Sequence, residues 1–289
     1  MSLSTSHLDA FFMVTQVMNF TKAAEKLNIT QSALSQRILN LEHELGTTLF
    51  IRDRAGLKLT ETATSLLRLC QMRRTMEDEF LIQLKSANPQ ELAGKIAIGG
   101  FSSISSSLLI PILSSFGKKH RGIQFSFYSR EADELVQMLK RSEIDFMVLD
   151  DRLQKDELER LPLGAEQNVL VECRDYSGPD VFLDHDENDM TTINYLKKFK
   201  SPSTKGLNKG IKRLYVDDIH GIIAGLTHGL GRAVVPLHLI KNEKNLVILN
   251  PKDILEVPVY LYYFHQPFYS RLHQAVVAEL NHQLKNALA

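Results

Sequence analysis

The sequence is short of several things, and each shortage removes a class of function. Only two cysteines occur in 289 residues. Cys70 and Cys173 are far apart and show no C-x-x-C or other metal or redox spacing, so they read as buried thiols. One-sided charge is also missing: 34 Lys and Arg balance 34 Asp and Glu. The whole molecule is therefore no general polyanion binder, and nucleic-acid contact must come from a local basic surface. No run of about 18 apolar residues appears, and the N-terminus lacks the basic, apolar and small-residue pattern of a secretory signal. The expectation is a cytoplasmic protein with no membrane partner. Catalytic signatures are absent in the same way. Ten histidines are present, but His220 and His228 are eight apart, His7, His43 and His120 are scattered, and no H-E-x-x-H occurs. There is no Gly-rich phosphate loop and no G-x-S-x-G elbow, and Gly229-Leu230-Gly231 does not grow into a dinucleotide fingerprint. No catalytic residue, metal or cofactor is expected. At 44% apolar and 24% charged, the chain has the composition of a soluble globular protein, long enough for two or three domains.

What is present is concentrated in residues 19–46. Ala23, Ala24 and Leu27 fall on one face of a short helix. Asn28-Ile29-Thr30 follows as a turn, with Asn tolerant of left-handed backbone and Thr30 a good N-cap. A second helix places Ala33, Leu34, Ile38, Leu41 and Leu45 inward and stops on Gly46. Its early outward face carries Gln31, Ser32, Ser35, Gln36 and Arg37, the short polar and amide groups that read base edges. An ordinary helical hairpin can share this pattern, so the flanks decide. Before it, Leu8, Phe11, Phe12, Thr15 and Val17 mark an opening helix over residues 6–18. After it, Leu49, Phe50 and Ile51 read as a strand, residues 53–56 as a turn and residues 57–59 as the returning strand. That hairpin is a wing, and it carries Arg52, Arg54 and Lys58, cations suited to phosphates.

Residues 3 to about 65 resemble the DNA-binding domain of LysR-type transcriptional regulators. The resemblance rests on Phe12, Phe20, Thr21, Ala23, Ala24, Leu27, the run Thr30-Gln31-Ser32-Ala33-Leu34-Ser35, Ile38, Leu41-Glu42, Leu45-Gly46, Leu49-Phe50, Arg52 and Leu59-Thr60-Glu61. Ala63 departs from the family's usual Gly, harmlessly in a helix. The reading implies double-stranded DNA as partner. Gln31, Ser32, Ser35 and Gln36 face bases; Thr30, Arg37, Arg52, Arg54 and Lys58 face phosphates.

Residues 60–88 read as one long helix, capped by Thr60 and closed by Pro89. Its apolar stripe (Ala63, Leu66, Leu67, Cys70, Met76, Phe80, Leu81, Leu84) is too long for the small N-terminal domain to bury. A dimerising linker is expected, with Arg68, Arg73 and Arg74 solvated or paired across the dimer. A Cys70–Cys173 disulfide is disfavoured, because the two lie in different modules. Beyond Gly94, strands at 95–99, 123–128 and 144–149 alternate with helices, which predicts a mostly parallel sheet with ligands beyond the strands' carboxyl ends. A second such unit runs over residues 161–260, with strand-like stretches at 168–172, 180–183, 213–216 and 247–249. A final helix over residues 269–288 belongs with the first unit.

This part resembles the effector domain of the same family, which shares the periplasmic-binding-protein fold. Gly99, Pro111, Phe116, Ile144-Asp145, Gly229-Leu230-Gly231 and Pro236 carry the match. A family Pro is missing around Arg121-Gly122, and the chain is shortened near residues 176–179. The fold class is thus α/β with an N-terminal winged helix-turn-helix, a long linker helix and a two-lobed effector domain. The divisions are 1–60, 61–90 and 91–289, with lobe 1 at 91–160 and 265–289 and lobe 2 at 161–264. Effector candidates are Phe101, Ser102 and Ser103; Ser129, Arg130 and Glu131; Asp184, His185 and Asp186; and Thr227 and His228. Hydroxyls and N–H groups at a helix start suit a carboxylate. The acidic run 184–189 suits an ammonium or guanidinium, or else is a capping loop. Residues 29–37 and 182–190 are similar to the branch that governs arginine export, which points to lysine or arginine as effector. The resemblance implies a homodimer or homotetramer. The rival reading is a small-molecule-binding protein that uses its winged domain for protein contacts.

Overall fold

The computed structural model describes residues 3–53, 56–85, 91–150, 157–178, 181–199 and 212–288. They form two units: residues 1–94 with 140–143 and 266–272, and the remainder of the chain. The first holds α1 (Thr5–Val17), α2 (Phe20–Lys26), α3 (Gln31–Leu45), a hairpin of β1 (Phe50–Asp53) and β2 (Gly56–Leu59), and α4 (Glu61–Lys85). Local chemistry starts and stops these helices. Asn19 Oδ1 accepts the Lys22 N–H at 3.0 Å, Thr30 Oγ1 that of Ala33 at 3.2 Å and Thr60 Oγ1 that of Ala63 at 3.1 Å. Left-handed backbone at Asn28 (φ 53°) and Gly46 (φ 65°) ends α2 and α3.

The core of this unit joins Leu8, Phe11, Val14, Ala23, Ala24, Leu34, Ile38, Leu41 and Leu49 to Ala63, Leu66, Leu67 and Cys70 of α4. Ala33, expected inward, is exposed, because the buried stripe of α3 runs 34-38-41 and leaves position 33 on its flank. The stripe of α4 divides. Its first half is core, while Met76, Phe80, Leu81 and Leu84 are 45–66% exposed. Arg73 pairs with Asp9 of α1, and Arg74 lies 4.4 Å over the ring of Phe12. These two arginines therefore turn back onto their own domain. Burial pushes the Cys70 thiol up to about 11, and both cysteines are free.

The second unit contains β3 (Ala93–Gly100), a continuous helical segment of α5 (Ser102–Ile104), a π-helical turn (Ser105–Leu109) and α6 (Ile110–Lys119), then β4 (Gly122–Ser129), α7 (Ala132–Lys140) and β5 (Phe146–Asp150). There follow β6 (Leu158–Cys173), β7 (Val181–Asp184), α8 (Thr191–Lys198), β8 (Lys212–Tyr215), α9 (Ile219–Thr227), β9 (Ala233–Pro236) and α10 (Leu237–Ile240). The last elements are β10 (Leu246–Ile248), β11 (Leu255–Phe264) and α11 (Arg271–Ala287). Among the described residues the main sheet has the order β10-β6-β11-β5-β3-β4, with β9 also on β6, and β7-β8 form a small parallel sheet. Lobe 1 is built on Leu135, Leu139, Ile144, Met147, Leu149 and Tyr262. Lobe 2 is built on Val169, Val171, Leu183, Ile222, Leu226 and Val235.

The main sheet is mixed, not mostly parallel. β3 and β5 are parallel, but β11 runs antiparallel to β5 and β6, and β9 and β10 antiparallel to β6. The difference comes from β6 and β11, which carry the chain from one lobe to the other in opposite directions. Their length is hidden in the sequence. Pro162 and Gly164 interrupt the strand pattern of β6, and both sit at a bulge where the register passes from Gly164↔Val259 to Pro162↔Tyr260 and skips Leu163. Gly164 has φ 130°, and a Cβ there would meet Leu288 at 2.9 Å, so only glycine fits.

In α11, the ring of His273 packs 4.4 Å from Phe146 and 5.0 Å from Tyr263 between ring centroids. Burial lowers its pKa to about 4. Below the ordinary value of 6.5 the unfolded chain takes a proton that the folded chain refuses, so this site's stability is full above pH 6.5 and is lost as pH falls toward 4. His273→Phe should flatten that part of the profile of melting temperature against pH, measured from pH 4 to 7.

Candidate nucleic-acid interface and effector site

The start of α3 presents Gln31, Ser32 and Gln36 to solvent, with Ser35 and Arg37 half-buried on the flanks. Thr30 spends its hydroxyl on the cap and on Ser32 Oγ at 3.0 Å, so it shapes the helix start. The wing is tied to this helix by Glu42, whose Oε1 accepts the N–H of Leu49 at 2.6 Å and of Phe50 at 3.4 Å. The Phe50 ring lies 5.5 Å from both Phe11 and Phe20. Arg52, exposed on β1, holds its guanidinium 5.1 Å over Phe20. Lys58 is exposed on β2 opposite Ile51. Arg54 lies outside the described residues. The arrangement offers a polar helix start beside a cationic hairpin, the two parts needed to hold a base edge and a phosphate together.

In the second unit the eleven effector candidates separate into groups. Phe101, Ser102 and Ser103 follow β3 at the start of α5 and are half-buried. Ser129 and Arg130 close the neighbouring strand β4, with Arg130 Nε donating to Glu134 at 3.1 Å. Glu131 is exposed, and its carbonyl accepts the N–H of Leu135 at the start of α7. Asp184 and its loop lie at the carboxyl end of β7, whose Phe182 bridges Arg232 in parallel, just ahead of β9. β9 ends at Pro236 beside Asn168, so the Asp184 loop lies toward that end of lobe 2. Thr227 and His228 do not join it. They end α9, with Cys173 Sγ 3.7 Å from the Thr227 carbonyl, and Cys173 lies five residues past Asn168, about 17 Å along the strand. Their side chains bond the helix's own carbonyls, Thr227 to Ile223 and His228 to Ala224.

The acidic loop is largely self-satisfied. Asp184, 2% exposed, accepts from Thr192 Oγ1 at 2.6 Å and from Arg213 Nε. Arg213 also donates to the carbonyls of Asp186, Glu187 and Asp189. Asp186 Oδ1 accepts the N–H groups of Asn188 and Asp189, and Asp189 accepts those of Thr191 and His185. Burial pushes the Asp184 carboxyl up, against the hydrogen bonds from Thr192 and Arg213 and the Arg213 charge. Among the described residues no cluster of three His, Cys, Asp or Glu side chains could hold a metal ion, and no helix is long and apolar enough to cross a membrane.

Two families match this architecture part by part. The bacterial regulatory helix-turn-helix protein family of lysR type matches residues 5–64, and the LysR substrate binding domain matches residues 89–179. The chain belongs to the LysR family. It is a DNA-binding transcriptional regulator with a substrate-binding domain. The uncharacterized HTH-type transcriptional regulator YusT of Bacillus subtilis is 28% identical over 84% of this chain and 82% of its own length. Among solved structures, ArgP from Mycobacterium tuberculosis is 20% identical, with a TM-score of 0.74 over 100% of this chain and 98% of that one. LysG from Corynebacterium glutamicum, solved with bound effector Arg, is 17% identical, with a TM-score of 0.75 over 98% of both chains. These two likenesses establish the LysR fold.

Sequence reasoning missed a polar chain in the LysR substrate-binding domain. His238 of α10 places Nδ1 2.8 Å from Ser107 Oγ on the π-helical turn and Nε2 2.8 Å from Glu166 Oε1 on β6. Ser107 Oγ in turn donates to the Ser103 carbonyl at 2.6 Å. The chain joins the helix that starts at the effector candidates to the crossing strand and to lobe 2. It was hidden because α10 is a four-residue helix with no periodic signal and because isolated histidines usually mean little. Arg213 was missed as a lone cation in a short strand.

Both networks make measurable contributions. Arg213→Met leaves the Asp184 carboxyl buried without its cation and should cost about 3–5 kcal/mol in urea unfolding. Ser107→Ala should cost about 1 kcal/mol, and His238→Phe, which strands Glu166, about 2–3 kcal/mol by the same measurement.

Proposed function

We propose that this LysR regulator is a ligand-responsive homodimer or homotetramer that acts on chromosomal DNA in the cytoplasm. Residues 1–60 serve as the winged DNA-binding domain, 61–90 as the dimerising linker and 91–289 as the effector domain. The observation that carries the reading is the capped α3, with Gln31, Ser32 and Gln36 exposed beside the cations of the wing. Ser35 reads bases with them, and Arg37, Arg52, Arg54 and Lys58 hold phosphates. The exposed Phe80 and Leu84 of α4 support the linker role, since a second copy is the simplest cover for such a stripe.

The effector is a small molecule held where the lobes meet, and a basic amino acid is the first candidate. Ser102 and Ser103 supply hydroxyls and a helix start for its carboxylate. LysG, which shares the fold, was solved with bound effector Arg. A ligand that binds one arrangement of the lobes more tightly than another shifts their populations, and through the dimer shifts half-site spacing or DNA bending.

Two measurements test this. DNA affinity should fall steeply with salt, and Arg52→Ala should lower the slope of log K against log salt by about one. Arginine or lysine should raise the melting temperature or change DNA affinity. Salt-insensitive binding overturns the DNA-reading role of α3 and the wing. Silence toward both amino acids removes them as effectors and leaves DNA reading intact.

A further inference from the structure

The exposed face of α3 continues past the residues assigned above. Gln36, Leu39, Asn40 and His43 are all exposed, and Leu39 and Asn40 each lie three or four residues from both Gln36 and His43, so the four form one stripe. Gln36 Nε2 donates to Asn40 Oδ1 at 2.9 Å. The bond uses one hydrogen of one amide and one lone pair of the other. Gln36 keeps its carbonyl oxygen and one N–H, and Asn40 its amino group and one lone pair; with the free carbonyl and the free amino group turned outward, the pair sets an acceptor beside a donor. Turning both amides over swaps the two roles between the residues and leaves the inventory unchanged.

That inventory has one good complement among the purines. The major-groove edge of adenine shows an acceptor at N7 and a donor at N6, which meet the outward donor and acceptor of the pair. Guanine shows acceptors at both N7 and O6 and would leave the outward carbonyl facing another acceptor. Leu39 stands within the same stripe, 57% exposed. It has nothing to offer a polar edge, but its methyls match the 5-methyl group of thymine, the apolar feature of the major groove. In an A·T pair that methyl lies in the same groove, beyond thymine O4 from adenine N6, so Leu39 reaches it from the other side of the stripe.

We propose that Gln36, Leu39 and Asn40 form one A·T-reading unit, with the amide pair on adenine N6 and N7 and Leu39 against the thymine methyl. The proposal rests on α3 being the recognition helix. It adds Leu39 and Asn40 to the specificity-determining residues and states which base pair they choose.

The test begins by selecting bound duplexes from a random pool with the full-length protein. Each enriched A·T pair is then replaced by G·C, and separately its thymine by uracil, which removes only the methyl. At one pair in each half-site, G·C should weaken binding roughly 5- to 100-fold and uracil roughly 2- to 4-fold. Leu39→Ala should abolish the uracil effect at that pair alone, and Gln36→Ala or Asn40→Ala should relax the choice of A·T there. All three side chains are exposed, so the variants keep the fold. If Leu39→Ala weakens every sequence equally, or no uracil substitution couples to it, the proposal is overturned while α3 remains the reader. If the pool yields no enriched sequence, the recognition-helix reading fails and the proposal with it.

Discussion

The effector domain depends on one pairing, that of β6 with β11. The two strands lie antiparallel from Leu255↔Asn168 to Phe264↔Leu158, and each contributes to the core it crosses into. A slip of one residue would turn Val169 and Val171 out of lobe 2 and Tyr262 and Phe264 out of lobe 1 together. The bulge at Leu163 sets the phase. It adds one residue to β6, so the residues facing inward change parity between the lobes, and Leu163 itself is fully buried. The polar chain through Glu166 and His238 sits just past this point. This polar link ties the helical segment at Ser107 to β6 and α10 beside the point where the register changes.

A different constraint governs the N-terminal unit, which is too small to bury what α4 brings to it. Four apolar residues of α4 close the core under α1, and the remainder of the stripe emerges into solvent. Two cations of this helix are already engaged. Arg73 meets Asp9 and Glu77, and Arg74 covers Phe12. Met76, Phe80, Leu81 and Leu84 remain as an exposed apolar stripe on α4. Arg73 and Arg74, expected from the sequence to be solvated or paired across a dimer, thus have partners within their own domain.

Legibility followed the range of the interactions. The winged domain was readable because its signals are local. Asn19, Thr30 and Thr60 cap within three residues, Asn28 and Gly46 turn the chain where they stand, and leucines repeat at helical spacing. Glu42 was visible as part of a motif, but its grip on the Leu49 and Phe50 amides is tertiary. The α/β elements were also found, though the sheet's direction was not. Strand direction belongs to partners a hundred residues apart, and Pro162 and Gly164 broke the alternation that would have revealed β6. Site residues fared worst where two distant side chains make the feature. Asp184 with Arg213, and Ser107 with His238 and Glu166, have no spacing to recognise.

The acidic loop shows how an apparent ligand site can be consumed by the protein itself. A guanidinium needs carboxylate and carbonyl oxygens around its plane, and residues 184–189 supply them. Arg213 already occupies that place, with Asp184 on Nε and the Asp186, Glu187 and Asp189 carbonyls on its other nitrogens. A second cation would have to displace the half-buried Arg213 to use the Asp184 carboxylate, at the cost of breaking a paired charge. The Asp184 carboxylate thus helps hold lobe 2 in shape, and exposed acids stand elsewhere in the domain. Glu131, exposed after β4 and close in sequence to Ser129, is one that keeps its carboxylate on the surface. The loop's structural contribution is geometric: through Thr192 and Arg213 it fixes where the end of β7 stands relative to the start of α8.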